Sequence, residues 1–315
     1  MNAPKDPLYL IDSYGLIYRS YFAFLSRPLR NTSGRNISAL FGFIRALVSL
    51  IDEGAPGAAP DGSLSPKKHK PIHLAAVFDS RVPTFRHEMY PEYKATRQKT
   101  PEDLHDQVPL VEEALRALGI PILSADRYEA DDLIATLAEK ARAEGRICYI
   151  ISSDKDLLQL VGNGIYQLRP GKSGPAGAGS SGAGKNPKGA NYEFVGPAEV
   201  KAEWGVEPSA VLDFLSLIGD ASDNVSGVKG IGEKTASKLL SRYTSLDGIY
   251  ANIAGIEGSV GRKLAEGRKS AYFSKSLISL ATDAPTGIKD LEELRIENLD
   301  RAACARILLR EGVRQ

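Results

Sequence analysis

Thiol chemistry has little to work with in this chain, which carries two cysteines, Cys148 and Cys304, in 315 residues. They lie far apart, and Cys148 sits inside an apolar strand pattern. Two free buried thiols in a reducing compartment are therefore expected, not a disulfide framework. Histidine is almost as sparse. His69, His73, His87 and His105 show no metal-ligand spacing and no serine or cysteine partner arranged for nucleophilic catalysis. No apolar run reaches membrane-spanning length, and Asp12 interrupts the N-terminal apolar stretch, so a cytoplasmic protein with no membrane partner is expected. A bulk excess of one charge is missing too. With 40 basic and 39 acidic residues the net charge is +1, so any nucleic-acid footprint must be local. What remains is an ordinary globular composition, 43% hydrophobic and 25% charged, with enough chain for one large domain or two smaller ones.

Against that background the placement of acids stands out. Leu8 to Ile11 ends at Asp12, Leu74 to Phe78 ends at Asp79, and Ile147 to Ile151 runs through two serines to Asp154 and Asp156. Short apolar runs that end in acids read as buried strands whose carboxyl ends open on a polar crevice, where open α/β sheets place their ligands. Carboxylates gathered there would repel by about 3 kcal/mol per pair at about 5 Å with an effective dielectric near 20. Hard cations such as Mg²⁺ or Mn²⁺ would relieve that repulsion. Glu129, Asp131 and Asp132 open a helix pattern just after the strand-like Pro121 to Leu123. Acids at a helix N-terminus complement its dipole, but three in four residues exceed what capping requires. Asp220 and Asp223 follow another apolar helix and could cap the next element.

Strand and helix patterns alternate from Tyr9 to about Leu168, with helical spacing in Ser38 to Asp52, Val111 to Leu118 and Leu133 to Ala141. This predicts an α/β fold with a mostly parallel central sheet flanked by helices. Two segments, 54–71 and 171–189, rich in small residues, read as flexible insertions. The second imitates a phosphate-binding loop from Gly179 to Lys185, but Asn186 and Pro187 break that motif. Between Arg81 and Lys99, basic residues alternate with Phe85, Tyr90 and Tyr93, a mixture suited to phosphates and unpaired bases. Further on, Gly227-Val228-Lys229-Gly230-Ile231-Gly232 lies between two helical patterns. Such a turn lets backbone N–H groups approach a phosphate, as in helix-hairpin-helix gripping of a DNA backbone without reading its sequence.

Five blocks taken together resemble a known family: LIDSYGLIYRSYFA at Leu10 to Ala23, VFDSRVPTFRHEMYPEYKATR at Val77 to Arg97, YEADDLIATLA at Tyr128 to Ala138, SSDKDLLQLV at Ser152 to Val161, and LIGDASDNVSGVKGIGEKTA at Leu217 to Ala236. In this order they resemble the 5′ nuclease (flap endonuclease) family, most closely the 5′–3′ exonuclease domain found at the N-terminus of bacterial polymerases. The resemblance implies a PIN-like α/β nuclease core over residues 1–192, with a helical arch at about 81–107. It also implies a helical subdomain over 193–315 with a helix–three-turn–helix DNA-binding motif at about 209–243.

The resemblance further implies the site. One metal group would be Asp12, Asp79, Glu129 and Asp131. The second would be Asp132 or Asp154, with Asp156, Asp220 and Asp223. The cofactors implied are two Mg²⁺ or Mn²⁺ ions, with K⁺ at the glycine-rich turn. Arg19, Arg86, Lys94 and Arg97 would act near the scissile phosphate or the 5′ strand, with Tyr93 beside them. Gly227, Val228, Gly230, Ile231, Gly232, Lys234 and Thr235 would hold the duplex. The implied activity is structure-specific 5′–3′ exonuclease and 5′-flap cleavage of DNA in replication primer removal and repair. The implied partners are flap, nicked or primer-template DNA and a DNA polymerase, fused or separate, with the nuclease a monomer. Two other readings compete. A PIN-like ribonuclease shares the acid-ended strands but does not require the glycine turn. A non-catalytic structure-specific DNA-binding protein would not need all nine acids, which are present.

Overall fold

The computed structural model describes residues 5–59, 61–171 and 192–313. Eight strands are β1 (Leu8–Asp12), β2 (Ala55–Ala58), β3 (Leu64–His69), β4 (His73–Val77), β5 (Ile122–Leu123), β6 (Cys148–Ile151), β7 (Ile165–Pro170) and β8 (Tyr192–Val195). The α-helices among the described residues are α1 (Ser13–Ala23), α2 (Ser38–Glu53), α3 (Phe85–Met89), α4 (Glu102–His105), α5 (Val108–Leu118), α6 (Ala130–Ala143), α7 (Pro197–Trp204), α8 (Val211–Ile218), α9 (Glu233–Tyr243), α10 (Leu246–Ala251), α11 (Gly258–Ile278) and α12 (Arg301–Arg310).

Six strands form one sheet in the order β5-β4-β1-β6-β7-β8, parallel except for the last pair. Strands β1, β4 and β6 are buried along their whole length. That is why their sequences are continuous apolar runs and not alternating ones. Their side chains still divide by the pleat. Tyr9, Ile11, Leu74 and Ala76 face α1, α2 and α5 on one side. Leu8, Leu10, Ala75 and Val77 face α6 on the other. The register pairs Asp12 with Val77, so Asp12 and Asp79 leave the sheet at the same edge. Parallel connectivity is what brings all the acid-ended strands there.

Segment 54–71 departs from the expected flexible insertion. Strands β2 and β3 pair antiparallel, and the hairpin is pinned to the sheet face by tyrosines. Tyr149 Oη accepts from the Ala58 N–H at 2.8 Å, and Tyr9 Oη donates to the His69 carbonyl at 3.1 Å. Small residues therefore mark close packing here: a Cβ on Gly57 would meet His69 and the Tyr149 hydroxyl within 3 Å. The other expected insertion, 171–189, lies outside the described residues apart from Gly171. The 81–107 arch holds two short helices, α3 and α4, with turns between them, because Pro91 and Pro101 interrupt the helical pattern.

Beyond β8 the chain is helical. Helices α8 to α11 enclose a second core around Phe214, Leu215, Ile231, Leu239 and Leu264. The segment after α11 returns beneath the sheet, where the Ile296 N–H donates to the Ile72 carbonyl, and α12 lies on α5 through a bidentate Arg310–Glu113 pair.

Candidate metal centre and nucleic-acid interface

The acids converge. Asp12 is the N-cap of α1, accepting from the Gly15 N–H at 3.0 Å, while its other oxygen accepts from Ser152 Oγ at 2.7 Å. Asp79 accepts from the Ala130 N–H at the start of α6 at 2.8 Å. Burial pushes the Asp12 carboxyl up to about 6, with Asp79 and Asp154 adding repulsion against the bonds from Gly15 and Ser152. Burial also holds Asp79, Asp131, Asp154 and Asp156 above the usual carboxylate range. For Asp131 the opposing charges are Asp154, Asp12, Asp79 and Glu129; for Asp156 they are Asp154, Asp220 and Asp223. Asp156, Asp220 and Asp223 each offer an oxygen within 4.8 Å of the others. Burial raises the Asp220 carboxyl too, but bonds from Lys155 at 2.7 Å and from Ser222 outweigh it, so the net displacement is downward.

An all-oxygen donor set of this density suits a hard divalent cation. Asp156 Oδ1 is buried with no hydrogen-bond partner, a costly arrangement that a cation would relieve.

One of the nine candidates faces away. Asp132 is fully buried and takes a bidentate pair from Arg86 at 2.7 and 2.8 Å, plus the N–H groups of Glu129 and Ala281. Every useful lone pair is occupied, so Asp132 is not placed to ligate a metal. The same pair corrects the expectation for Arg86. It is 1% exposed, its Nε and Nη2 also donate to the Leu277 and Ser279 carbonyls, and its Nη1 lies 3.4 Å from Glu129 Oε2. It joins α3, α6 and the end of α11 and presents nothing to a phosphate. Asp132 sits one helical turn from Glu129, and helical spacing alone does not distinguish the outward acid from the inward one.

The remaining cations divide. Lys94 Nζ lies 2.5 Å from Glu129 Oε1 and 3.8 Å from Asp223 Oδ2. Arg97 reaches Asp223 Oδ1 at 2.5 Å with its guanidinium half-exposed. Burial acts to lower the Lys94 ammonium, yet Glu129 and Asp223 hold it above its ordinary value. Arg19 is elsewhere, donating to the Gly171 carbonyl at the end of β7. Tyr93 is 5% exposed, and its hydroxyl lies between two carboxylates, 3.1 Å from Glu129 Oε2 and 3.0 Å from Asp223 Oδ2, with its one proton shared between them. Its ring is therefore not available to stack on a base.

In the glycine turn, Gly227 adopts φ +61°, and a Cβ there would lie 2.3 Å from the Gly219 nitrogen. Only glycine fits, because the loop returns directly over the end of α8. Val228 and Ile231 are buried, and the Val228 N–H is used by the Leu217 carbonyl. Their side chains anchor the turn and do not contact solvent. Gly230 and Gly232 have no N–H partner among the described residues. Gly232, Lys234 and the half-buried Thr235 lie at the open N-terminus of α9. Sequence reasoning passed over three residues that organise the site: Ser152, which links Asp12 to the Asp154 N–H; Lys155, which neutralises Asp220; and Asn224, which donates to the Glu92 carbonyl at 2.9 Å. Lys155 and Asn224 adjoin a candidate acid and Ser152 lies two residues from one, which was the signal available.

The fold and this carboxylate-lined edge define a nuclease-type architecture, and comparison with known proteins agrees. The family model for the 5′–3′ exonuclease N-terminal resolvase-like domain matches residues 7–205, and that for the 5′–3′ exonuclease C-terminal SAM fold matches 206–302. A 5′–3′ exonuclease of Aquifex aeolicus is 35% identical over 293 residues, covering 93% of this chain and 88% of that protein. DNA polymerase I of Treponema pallidum is 44% identical over 309 residues, covering 98% of this chain. The chain spans 28% of the length of that polymerase. Among solved structures, the T5 D15 protein co-crystallised with metal ions superposes with a TM-score of 0.65 at 15% identity, covering 97% of this chain and 99% of that one. The catalytic core of Rad2 in complex with DNA substrate gives 0.58 at 17% identity, covering 98% and 88%; both show likeness of fold. The chain belongs to the 5′–3′ exonuclease family.

Proposed function

We propose that this chain is a structure-specific 5′ nuclease that hydrolyses DNA phosphodiesters at 5′ flaps, nicks and primer-template junctions. The observation that carries the reading is the convergence of Asp12, Asp79, Glu129, Asp131, Asp154, Asp156, Asp220 and Asp223 on one sheet edge beside the cations of the arch base. Relatives of both kinds, a free-standing exonuclease and polymerase I, support it.

Asp12, Asp79, Glu129 and Asp131 would hold one Mg²⁺ or Mn²⁺, and Asp154, Asp156, Asp220 and Asp223 the other. Bound there, the pair would supply Lewis-acid stabilisation of the phosphoryl oxygens and a lowered pKa for the attacking water. The protein's own part is electrostatic and positional. Lys94 and Arg97 stabilise charge developing on the phosphoryl oxygens, and both already lie against the acids. Lys94 is held in place through its backbone, since its N–H donates to the Asp223 carbonyl at 3.0 Å in a φ +58° conformation. Arg19 would contact the substrate strand farther from the reacting bond.

The N–H groups of Gly230 and Gly232, with Lys234 and Thr235, would grip the duplex backbone. A K⁺ ion at this turn would share its carbonyl oxygens with Ser270 and Lys263, which donate to Gly227 and Gly230. A nuclease region over 1–192 and a DNA-holding region over 193–315 remain the proposed division. A monomer working beside, or joined to, a polymerase is the proposed setting.

The test is cleavage of a double-flap DNA with Mg²⁺, Mn²⁺ or chelator, with K⁺ exchanged for Na⁺ and product ends mapped. Metal-dependent release of the flap with a 5′ phosphate on the product supports the reading. Equal or faster cleavage of a matched RNA flap would favour the ribonuclease alternative.

A further inference from the structure

The basic arch segment carries three aromatic residues, and the structure sets one of them against the helical region. Tyr93 is buried. Phe85 is packed between the Arg86 guanidinium, 4.5 Å from its centroid, and Tyr128. Tyr90 instead meets a residue from the helical region, Phe273 on α11, edge to face with centroids 5.6 Å apart at 87°. Phe273 is 41% exposed, and Met89, beside Tyr90 in sequence, is 44% exposed.

Where α11 holds Phe273 gives the patch its meaning. Ser270 Oγ donates to the Gly227 carbonyl at 2.5 Å, and the Gly227 N–H donates to Ser274 Oγ at 3.2 Å, so this stretch of α11 braces the glycine turn. One helical turn on, the Leu277 carbonyl accepts from Arg86 Nε at 2.7 Å at the root of the arch. Phe273 lies between these two anchor points. Asn224, next to Asp223 of the acid cluster, lies 3.5 Å from Tyr90 Oη and donates to the Glu92 carbonyl. The charges around the patch are mixed: the Tyr90 hydroxyl donates to Glu92 at 3.1 Å, exposed Lys269 lies one turn before Phe273 on the same helix, and Arg97 pairs with Asp223, the neighbour of Asn224.

A single exposed phenylalanine is unremarkable. An exposed phenylalanine held edge to face against a half-buried tyrosine, between a duplex grip and the acid cluster and with a lysine one helical turn away, has the chemistry of a single-strand stacking site. We propose that Phe273 and Tyr90 form a platform on which an unpaired base of the DNA substrate stacks where duplex gives way to single strand. The proposal rests on the nuclease reading above and adds a specificity element to it: preference for substrates with an unpaired nucleotide at the junction.

The test uses the full chain and a 5′-flap DNA carrying 2-aminopurine at successive positions around the junction, bound in chelator so that no cleavage occurs. Wild type should change the probe's fluorescence at one junction position. Phe273→Ala should abolish that change and raise KM for flap cleavage by about tenfold, with kcat within about twofold, as loss of one stacked base implies. Phe273→Trp should restore both. Binding of a fully paired nicked duplex should be unchanged in Phe273→Ala, with the same thermal melt. An unaltered KM and fluorescence response in Phe273→Ala, or equal weakening on paired and flapped DNA, would overturn the platform while leaving the nuclease reading intact. A wild-type chain that neither binds nor cleaves branched DNA would overturn both.

Discussion

The two edges of the central sheet are both rich in charge, and they treat carboxylates in opposite ways. At the edge where the strands begin, Glu292 accepts from buried Arg146 at 2.5 Å and from His73 at 3.0 Å. These partners draw its carboxyl down to about 2 although it is half-exposed. At the edge where the strands end, acids outnumber cations, and burial pushes Asp12 up to about 6. Charge matched within hydrogen-bonding distance serves architecture. Charge crowded and under-compensated stores repulsion that only a ligand of opposite sign removes. The Arg86–Asp132 pair shows that the distinction is local: it belongs to the first kind, yet it lies immediately behind the second.

The largest effect should come from removing an acid at the unbalanced edge. Asp12→Asn or Asp154→Asn should cut flap cleavage in Mg²⁺ by roughly a thousandfold or more, with duplex binding largely retained. Single-turnover kinetics beside gel-shift binding separate the two; cleavage at the wild-type rate would remove these residues from the metal centre. Next is the matched pair behind it. Arg86→Met should cost about 3–5 kcal/mol of stability by stranding Asp132 in the interior, and Arg86→Met with Asp132→Leu should recover much of it. Urea unfolding reads both. If the single variant were as stable as wild type, the pair would not be structural. Lys94→Ala should lower turnover about a hundredfold with an unchanged melting temperature, checked by flap kinetics alongside circular dichroism.

The pH dependence sharpens the contrast because the signs are opposite. Asp12 binds its proton more tightly folded than unfolded, its carboxyl rising from 3.8 to about 6. Its contribution to stability is therefore full below about pH 4 and is lost as pH rises toward 6. Glu292 falls from 4.5 to about 2, so its contribution is present above about pH 4.5 and is lost as pH falls toward 2. In chelator, Asp12→Asn should thus gain stability on wild type as pH rises from 4 to 7. Glu292→Gln should lose about 1 kcal/mol or less at pH 7, a modest cost because solvent screens the exposed pair, and should leave cleavage unchanged. Urea unfolding across pH measures both, and parallel pH profiles for the two variants would erase the distinction between the edges.

Much of this molecule was legible in its residues. Continuous apolar runs marked β1, β4 and β6 because strands buried on both faces cannot alternate, and the acid after each run marked the crevice edge. Gly227 and Gly230 of the turn were legible because positive φ leaves few alternatives to glycine. The 54–71 hairpin was not, since its small residues carry the same composition as a linker; the Tyr9 and Tyr149 hydroxyls that order it come from distant strands. Nor was the inward turn of Asp132 and Arg86, because two carboxylates one helical turn apart look alike until the neighbouring elements are packed against them.

Sequence alone determined which residue types could meet at a carboxyl edge, since strand polarity and right-handed parallel connections leave few other arrangements. Only tertiary packing decided which acid was neutralised by a buried guanidinium, which aromatic ring was set against the helical region, and which was tied to the carboxylates. Those outcomes depend on partners more than a hundred residues away, such as Leu277 for Arg86, Asp223 for Tyr93 and Phe273 for Tyr90, and no local pattern encodes contacts at that separation.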